Sequence, residues 1–446
     1  MKKTIAWLLT AVMITATACG SAGNSTTGSS PEAAVTAASA QGQTQSEEQT
    51  QSEEQTQTET GSQNDGTAVT GEEPAADPAS QTTDSIPYWN EDSAVAESII
   101  SYVREITDES SESFVPAEDR IVVFDFDGTL YGELYPTYFD TCLMMHRALH
   151  DDTYEAPAQI KEYAAALEDA FTHNQPEPDS KLSAAQSSAE MFKGLTYEQY
   201  CEYIRNYMAE PAYGFEGMTY AEGFYKPMTA LVEYLADNDF TVFISSGSER
   251  TIVRELIRGK LDQWIPSYRV IGSTFSFNAT NQGDKDGRKY TYAADDEVLL
   301  EGNLLVKNQK ANKVFSIINE IGKTPVLVFG NSSGDLAMGQ YVINNGGKGY
   351  MLLCDDTERD YGKLDVAASF AADCEKIGLE TVSMKNDFAT IYGDQVKKAE
   401  TQSKPAEEIS TEETSPAEAS TADTPAEETP AEKTPAEEEQ ELQPAA

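Results

Sequence analysis

Short apolar runs, mostly β-branched, punctuate the middle of the chain at Ile121–Phe124, Thr241–Ile244, Val326–Phe329 and Tyr350–Cys354. Runs of this length, bounded by polar and turn-forming residues, predict strands buried on both faces. Between them, apolar positions recur at helical spacing over Met228–Leu235, Thr251–Leu261 and Ala311–Ile321. A further amphipathic helix is expected over Ser93–Ile106, with Val95, Ile99, Val103 and Ile106 on one face. Strands alternating with helices predict an α/β fold built on a parallel sheet. In such sheets ligands bind beyond the C-terminal ends of the strands.

The interval between the first and second strands spans about 110 residues, far more than a crossover requires. Its pattern is helical, as over Ile160–Phe171 and Tyr197–Tyr207, with turns near Pro176, Pro178 and Gly214. A helical cap inserted after the first strand, at about 140–222, is therefore expected to close over the strand ends.

The two ends of the chain lack any such pattern. Residues 1–18 have the form of an export signal: Lys2 and Lys3, an apolar run from Ile5 to Ala16, then small residues before Cys19. The run is too short to span a membrane, which takes about 20 residues. Ala16-Thr17-Ala18-Cys19-Gly20 resembles the lipobox of bacterial lipoproteins, although Ala16 stands where leucine is commonest. The resemblance implies diacylation of Cys19 and a lipid anchor on the extracytoplasmic side of a bacterial cell membrane. Residues 19–87 are rich in Ser, Thr, Gln and Glu, and 399–446 in Pro, Ala, Glu and Thr. Neither stretch can bury enough apolar surface to offset the entropy of ordering, so both are expected to be disordered. The first would act as a tether of about 40–50 Å. This leaves 88–398 as the folded domain.

The net charge is −45. Residues 21–90 and 401–446 contribute −11 each, and with Lys2 and Lys3 set aside, residues 91–400 carry −25. A domain so acidic is a poor partner for nucleic acid. A phosphorylated substrate is still admissible, because exposed charges are screened beyond about 8 Å and local donors decide. Four cysteines follow Cys19, with no CxxC spacing; Cys354, inside an apolar run, is expected to be a small core residue.

Chemistry gathers where the strands end. Val122-Val123-Phe124 runs into Asp125-Phe126-Asp127-Gly128-Thr129. Alternation along a strand would point Asp125 and Asp127 the same way, and two carboxylates in one space can divide nucleophilic and proton-transfer work. Gly128 lets the backbone approach a ligand, and Thr129 supplies a hydroxyl and an amide donor. The second strand leads through Ser245-Ser246-Gly247-Ser248 into a helix, where a serine hydroxyl and helix N-terminal amides suit an anion; an ordinary Ser N-cap is the plain alternative. Lys310 precedes the third of the apolar runs and would suit neutralising a phosphate and the nucleophile together, a solvated surface lysine being the plain alternative. The strand expected there ends Gly330-Asn331-Ser332-Ser333-Gly334-Asp335, an oxygen-rich loop suited to Mg²⁺ or simply to a turn.

In this order the four segments resemble the motifs of the haloacid dehalogenase superfamily, and the cap position resembles its phosphoserine phosphatase branch. That resemblance implies a Rossmann-like parallel sheet core with a helical cap, and an Mg²⁺-dependent phosphatase acting on a small phosphorylated metabolite. It makes Asp125 the nucleophile and Asp127 the general acid and base. Thr129, Ser246, Gly247 and Lys310 would bind the phosphate, and Asp125, Asp127, Asn331 and Asp335 the metal. The motif usually begins Gly-Asp, so Asn331 departs from the pattern and brings no charge; weaker metal binding is expected. Glu133 and Arg250 are candidates for substrate specificity, facing an ammonium and a carboxylate respectively. The competing reading is a non-catalytic surface lipoprotein on a decayed fold, with Asn331 as the lesion. A dehalogenase is disfavoured by Asp127. A metalloprotease built on His146 and His150 is disfavoured because their segment lacks the glutamate base.

Overall fold

The computed structural model describes residues 85–399, apart from Leu134 and Asn174. The export signal, Cys19, nearly all of the linker and the C-terminal tail lie outside the described residues. Helix α1 (Ala94–Thr107) leads to β1 (Ile121–Phe124). Helices α2 (Phe139–Leu149), α3 (Ala158–Thr172), α4 (Ala184–Met191) and α5 (Tyr197–Met208) follow, then the short strand β2 (Phe215–Glu216) and α6 (Lys226–Asp237). Next come β3 (Thr241–Glu249), α7 (Arg250–Ile257), β4 (Val270–Ala279), β5 (Val298–Val306) and α8 (Ala311–Ser316), which runs on into a π-helical turn at Ile317–Ile321. The chain continues through β6 (Leu327–Gly330), α9 (Leu336–Asn344), β7 (Lys348–Leu353), α10 (Leu364–Ile377), β8 (Glu380–Ser383), α11 (Met384–Asp387) and β9 (Lys397–Lys398).

Seven strands form one sheet in the order β5-β4-β3-β1-β6-β7-β8, and β2 pairs with β9 separately. Every neighbouring pair in the large sheet is parallel except β4 with β5. The first strand is therefore central. Its side chains alternate between two cores: Val122 and Phe124 join the cluster containing α1 and α6, whereas Ile121 and Val123 join Ile317, Met338, Val342 and Phe370. All four are buried, as a parallel strand covered on both faces requires. Phe124 stacks on Phe329 of β6 with ring centroids 4.5 Å apart.

The apolar runs mark β1, β3, β6 and β7 but not β4, β5 or β8. These last strands lie toward the sheet's margins. β5 buries little of its length, and β8 buries only Val382, so neither needs a continuous apolar run. β4 interleaves its apolar residues with Gly272, Ser273, Thr274 and Ser276.

Helices α2 to α5 fill the long interval between β1 and β3. The insertion is tied to the sheet margin: Gln186 on α4 donates to Gly302 O at 3.2 Å and accepts from Leu304 N at 3.1 Å. Gly194 N donates to Leu300 O at 2.8 Å. The four later cysteines are free, and Cys354 is only partly buried rather than a sealed core residue. His146 and His150 share a helix face, and His150 pairs with Glu168 at 2.8 Å.

Candidate active site

The central strand ends at Phe124, and Asp125 N donates to Phe329 O at 2.8 Å, extending the pairing with β6 by one residue. This holds the Asp125 carboxyl group just beyond the sheet. The following turn is closed by Gly128 N to Tyr131 O at 2.6 Å. Asp125 and Asp127 are both buried, at 6% and 8% exposure, as is Thr129. Thr129 Oγ1 lies 3.4 Å from Asp125 Oδ2.

The two aspartates serve different neighbours. Lys313 Nζ donates to Asp125 Oδ1 and, at 2.6 Å, to Asp335 Oδ1. One buried ammonium thus stands between two carboxylates, and negative charge is left over. Burial and the Asp335 charge push the Asp125 carboxyl upward, against the pull of Lys313. Burial alone would lower the Lys313 pKa, but the two carboxylates outweigh it and hold the ammonium above its ordinary value.

Asp127 faces β3. Its Oδ2 accepts from Ser248 Oγ at 2.7 Å and lies 3.4 Å from Ser246 Oγ. Burial, then the charges of Asp140 at the start of α2 and of Asp125, push its carboxyl up to about 8; the Ser248 bond and Lys307 oppose this. A carboxyl pushed up in this way is suited to hold and give a proton, as a general acid must.

The end of β3 differs from the sequence expectation. The strand runs on to Glu249 through a register irregularity after Ser245, where Ser246, Gly247 and Ser248 lie. Helix α7 is capped not by serine but by Glu249, whose buried carboxylate accepts from Thr251 N at 2.9 Å and Ile252 N at 3.3 Å. The helix N-terminus is thereby occupied, and an anion would be left to the bulged Ser246–Ser248 segment. Asn308 braces that segment: its Nδ2 donates to Ser245 Oγ at 3.1 Å and Ser246 O at 3.0 Å. Lys307 Nζ donates to Gly247 O at 2.8 Å.

Lys310 is a correction. It is exposed, sits before the first turn of α8 with φ 55°, and its amide donates to Gly334 O. The lysine brought to the aspartates is Lys313. Once α8 has begun, Lys313 shares a face with Ile317, four residues on, which packs in the core. That spacing was the available signal; Lys310 lies outside the helix, so helical spacing does not apply to it. Arg250 is a second correction: it pairs with Glu320 at 2.8 Å rather than joining Glu133.

The loop after β6 is built around Asp335. Its Oδ2 accepts from Asn331 N at 3.1 Å, Ser332 N at 3.0 Å and Ser332 Oγ at 3.1 Å. Asn331 Nδ2 donates to Glu133 Oε1 at 2.8 Å. Burial raises the Glu133 pKa against the charge of Lys363 and the bonds from Asn331 and Tyr138. A cavity of about 600 Å³ opens beside this pair, lined by Glu133, Tyr138, Tyr225, Cys354, Asp360 and Lys363 among others.

The donor set fits Mg²⁺. The donors that the resemblance implies are all oxygen, namely the Asp125 and Asp335 carboxylates, the Asp127 main-chain carbonyl and the Asn331 amide oxygen, and the structure brings the two carboxylates together on Lys313. Among the described residues no group of three His, Cys, Asp or Glu side chains forms a ready-made ligand cage. Mg²⁺ does not need one, since it takes one or two carboxylates and fills its shell with water and phosphate oxygen. The surplus negative charge around Lys313 favours a cation.

One family model and several solved structures resemble parts of this chain. The segment 122–340 matches the model of the haloacid dehalogenase-like hydrolase family. It holds Asp125, Asp127, Lys313 and Asp335. No curated protein matches the chain at a significant level. Among solved structures, a protein of unknown function from Bordetella pertussis Tohama I is 10% identical with a TM-score of 0.38, over 59% of this chain and 97% of its own. A functionally unknown protein from Anaerococcus prevotii DSM 20548 is 14% identical with a TM-score of 0.38, over 64% of this chain and 92% of its own. A HAD family hydrolase from Salmonella enterica serovar Typhi is 13% identical with a TM-score of 0.32, over 59% of this chain and 66% of its own. At such values these likenesses bring no activity to this chain.

Proposed function

We propose that the protein is a phosphomonoester hydrolase working through an aspartyl-phosphate on Asp125. The observation that carries this reading is the division between the two aspartates, Asp125 against Lys313 and Asp127 against the Ser246 and Ser248 hydroxyls. Asp125 attacks phosphorus, and the bond from phosphorus to the ester oxygen breaks as Asp127 gives that oxygen its proton. Water then attacks the phosphorus of the acyl phosphate, Asp127 takes a proton from it, and Asp125 is released with free phosphate. Splitting one hydrolysis into two transfers lowers each barrier. Lys313, with Ser246 and the bulged backbone of β3, neutralises and positions the phosphoryl oxygens, which is most of what such a transfer needs. Mg²⁺, when bound by Asp125, the Asp127 carbonyl, Asn331 and Asp335, would offset the repulsion between carboxylate and phosphate.

The substrate is a small phosphorylated metabolite whose leaving group enters the cavity beside Glu133. Glu133 and Lys363 there offer an ammonium and a carboxylate each an opposite charge, which suits a phosphoserine-like molecule. Lys363 takes the part the sequence suggested for Arg250. We place the enzyme outside the cytoplasm, held to a bacterial membrane through lipidated Cys19. The test is phosphate release from a panel of phosphomonoesters, phosphoserine included, with and without Mg²⁺. Metal-dependent turnover supports the proposal. A folded protein that turns over none of them supports the non-catalytic binding reading instead.

A further inference from the structure

Gly128, Glu133 and Asn331 are fitted to one another. Asn331 is 8% exposed, and its two nitrogens are held separately, the backbone N by Asp335 at 3.1 Å and Nδ2 by Glu133 at 2.8 Å. Cys354 Sγ lies 3.8 Å from the same Nδ2. Gly128 has φ +75°, and a Cβ there would fall 1.9 Å from Asn331 Nδ2 and 2.9 Å from Glu133 Cγ. Only glycine leaves room for the pair.

A carboxylate accepts hydrogen bonds and cannot donate them. Glu133 therefore selects one of the two ways the Asn331 amide can lie, with nitrogen toward Glu133 and oxygen away from it. We propose that Glu133 is a positioning residue of the cation site, which holds the Asn331 amide so that Oδ1 is offered to Mg²⁺. Glu133 also carries, one side chain further out, the carboxylate that the loop after β6 lacks at position 331. The inference rests on the reading of this site as an Mg²⁺ site. On this account Asn331 is no lesion. An aspartate at 331 would put two carboxylates 2.8 Å apart, so Asn331 belongs with Glu133, and an Asp at 331 would belong with a Gln at 133.

The test is a double-mutant cycle on the full chain, read by calorimetric titration with Mg²⁺ alone and by thermal melting in chelator. Glu133→Leu is expected to weaken Mg²⁺ binding about 10- to 100-fold, as loss of a residue orienting a ligand does. Glu133→Gln, whose amide oxygen still accepts, restores most of that loss. Asn331→Asp lowers the metal-free melting temperature, and adding Glu133→Gln recovers it. Mg²⁺ binding indifferent to Glu133→Leu, or additive effects of Asn331→Asp and Glu133→Gln, would overturn the inference while leaving the Mg²⁺ site intact. Failure of the parent chain to bind Mg²⁺ would overturn both. Should Glu133→Leu not fold, the Glu133→Gln and Asn331→Asp arms decide alone.

Discussion

Lys313 Nζ lies 2.6 Å from Asp335 Oδ1, and the two side chains are 2% and 1% exposed. The same ammonium meets Asp125, so one cation holds the ends of β1 and β6 together. Lys313→Met would leave two carboxylates buried without their counter-charge. Loss of about 3–5 kcal/mol of stability is expected, as when one partner of a buried pair is removed, together with loss of phosphate release. Lys310→Ala, at an exposed position, should change stability by no more than about 0.5 kcal/mol. Thermal denaturation and phosphate release on the two variants check the contrast.

Asp360 lends the fold a pH dependence separate from the catalytic groups. It is 8% exposed and accepts from Tyr392 Oη at 2.9 Å and Tyr361 N at 2.7 Å. Burial nonetheless raises its pKa from 3.8 to about 6. A carboxyl whose folded pKa is raised stabilises the fold while protonated, so this contribution is full below about pH 4 and lost as pH rises to about 6. Two units correspond to about 3 kcal/mol at most. Asp360→Asn should flatten the decline across that window and raise the melting temperature at pH 8. Melting curves at pH 4 and pH 8 for both proteins check it.

Gly128→Ala combines positive φ with a clash against Asn331 Nδ2. Backbone strain alone costs about 1–3 kcal/mol, and the Asn331 amide must also shift. Lower stability and weaker Mg²⁺ binding should appear together. Stability loss with unchanged Mg²⁺ affinity would mean that the amide is free to move without consequence.

Much of this was legible because the central strands of a parallel sheet are buried on both faces and so form unbroken apolar runs. β1, β3, β6 and β7 stand out for that reason, and the chemistry sits where they end. The marginal strands β5 and β8 bury too little to leave the same trace. The candidate lysines posed a different problem. Lys307, Lys310 and Lys313 recur every third residue, and only the point at which α8 begins decides which of them turn inward. The Glu133–Asn331 contact spans 198 positions in the chain; neither residue type announces the other. Arg250 has its partner, Glu320, in the π-helical turn after α8, 70 positions away.

The central claim is that Asp125 carries the phosphoryl group between two transfers, with Asp127 moving the proton in each. An ester with a good leaving group needs no acid in the first step, but water still needs a base in the second. Asp127→Asn should therefore react with p-nitrophenyl phosphate and then stall. Rapid-quench mass spectrometry of that variant, with Mg²⁺ present, should find a phosphoryl group on the peptide containing Asp125. Steady phosphate release by the variant, or a phosphoryl group on another residue, would contradict the account.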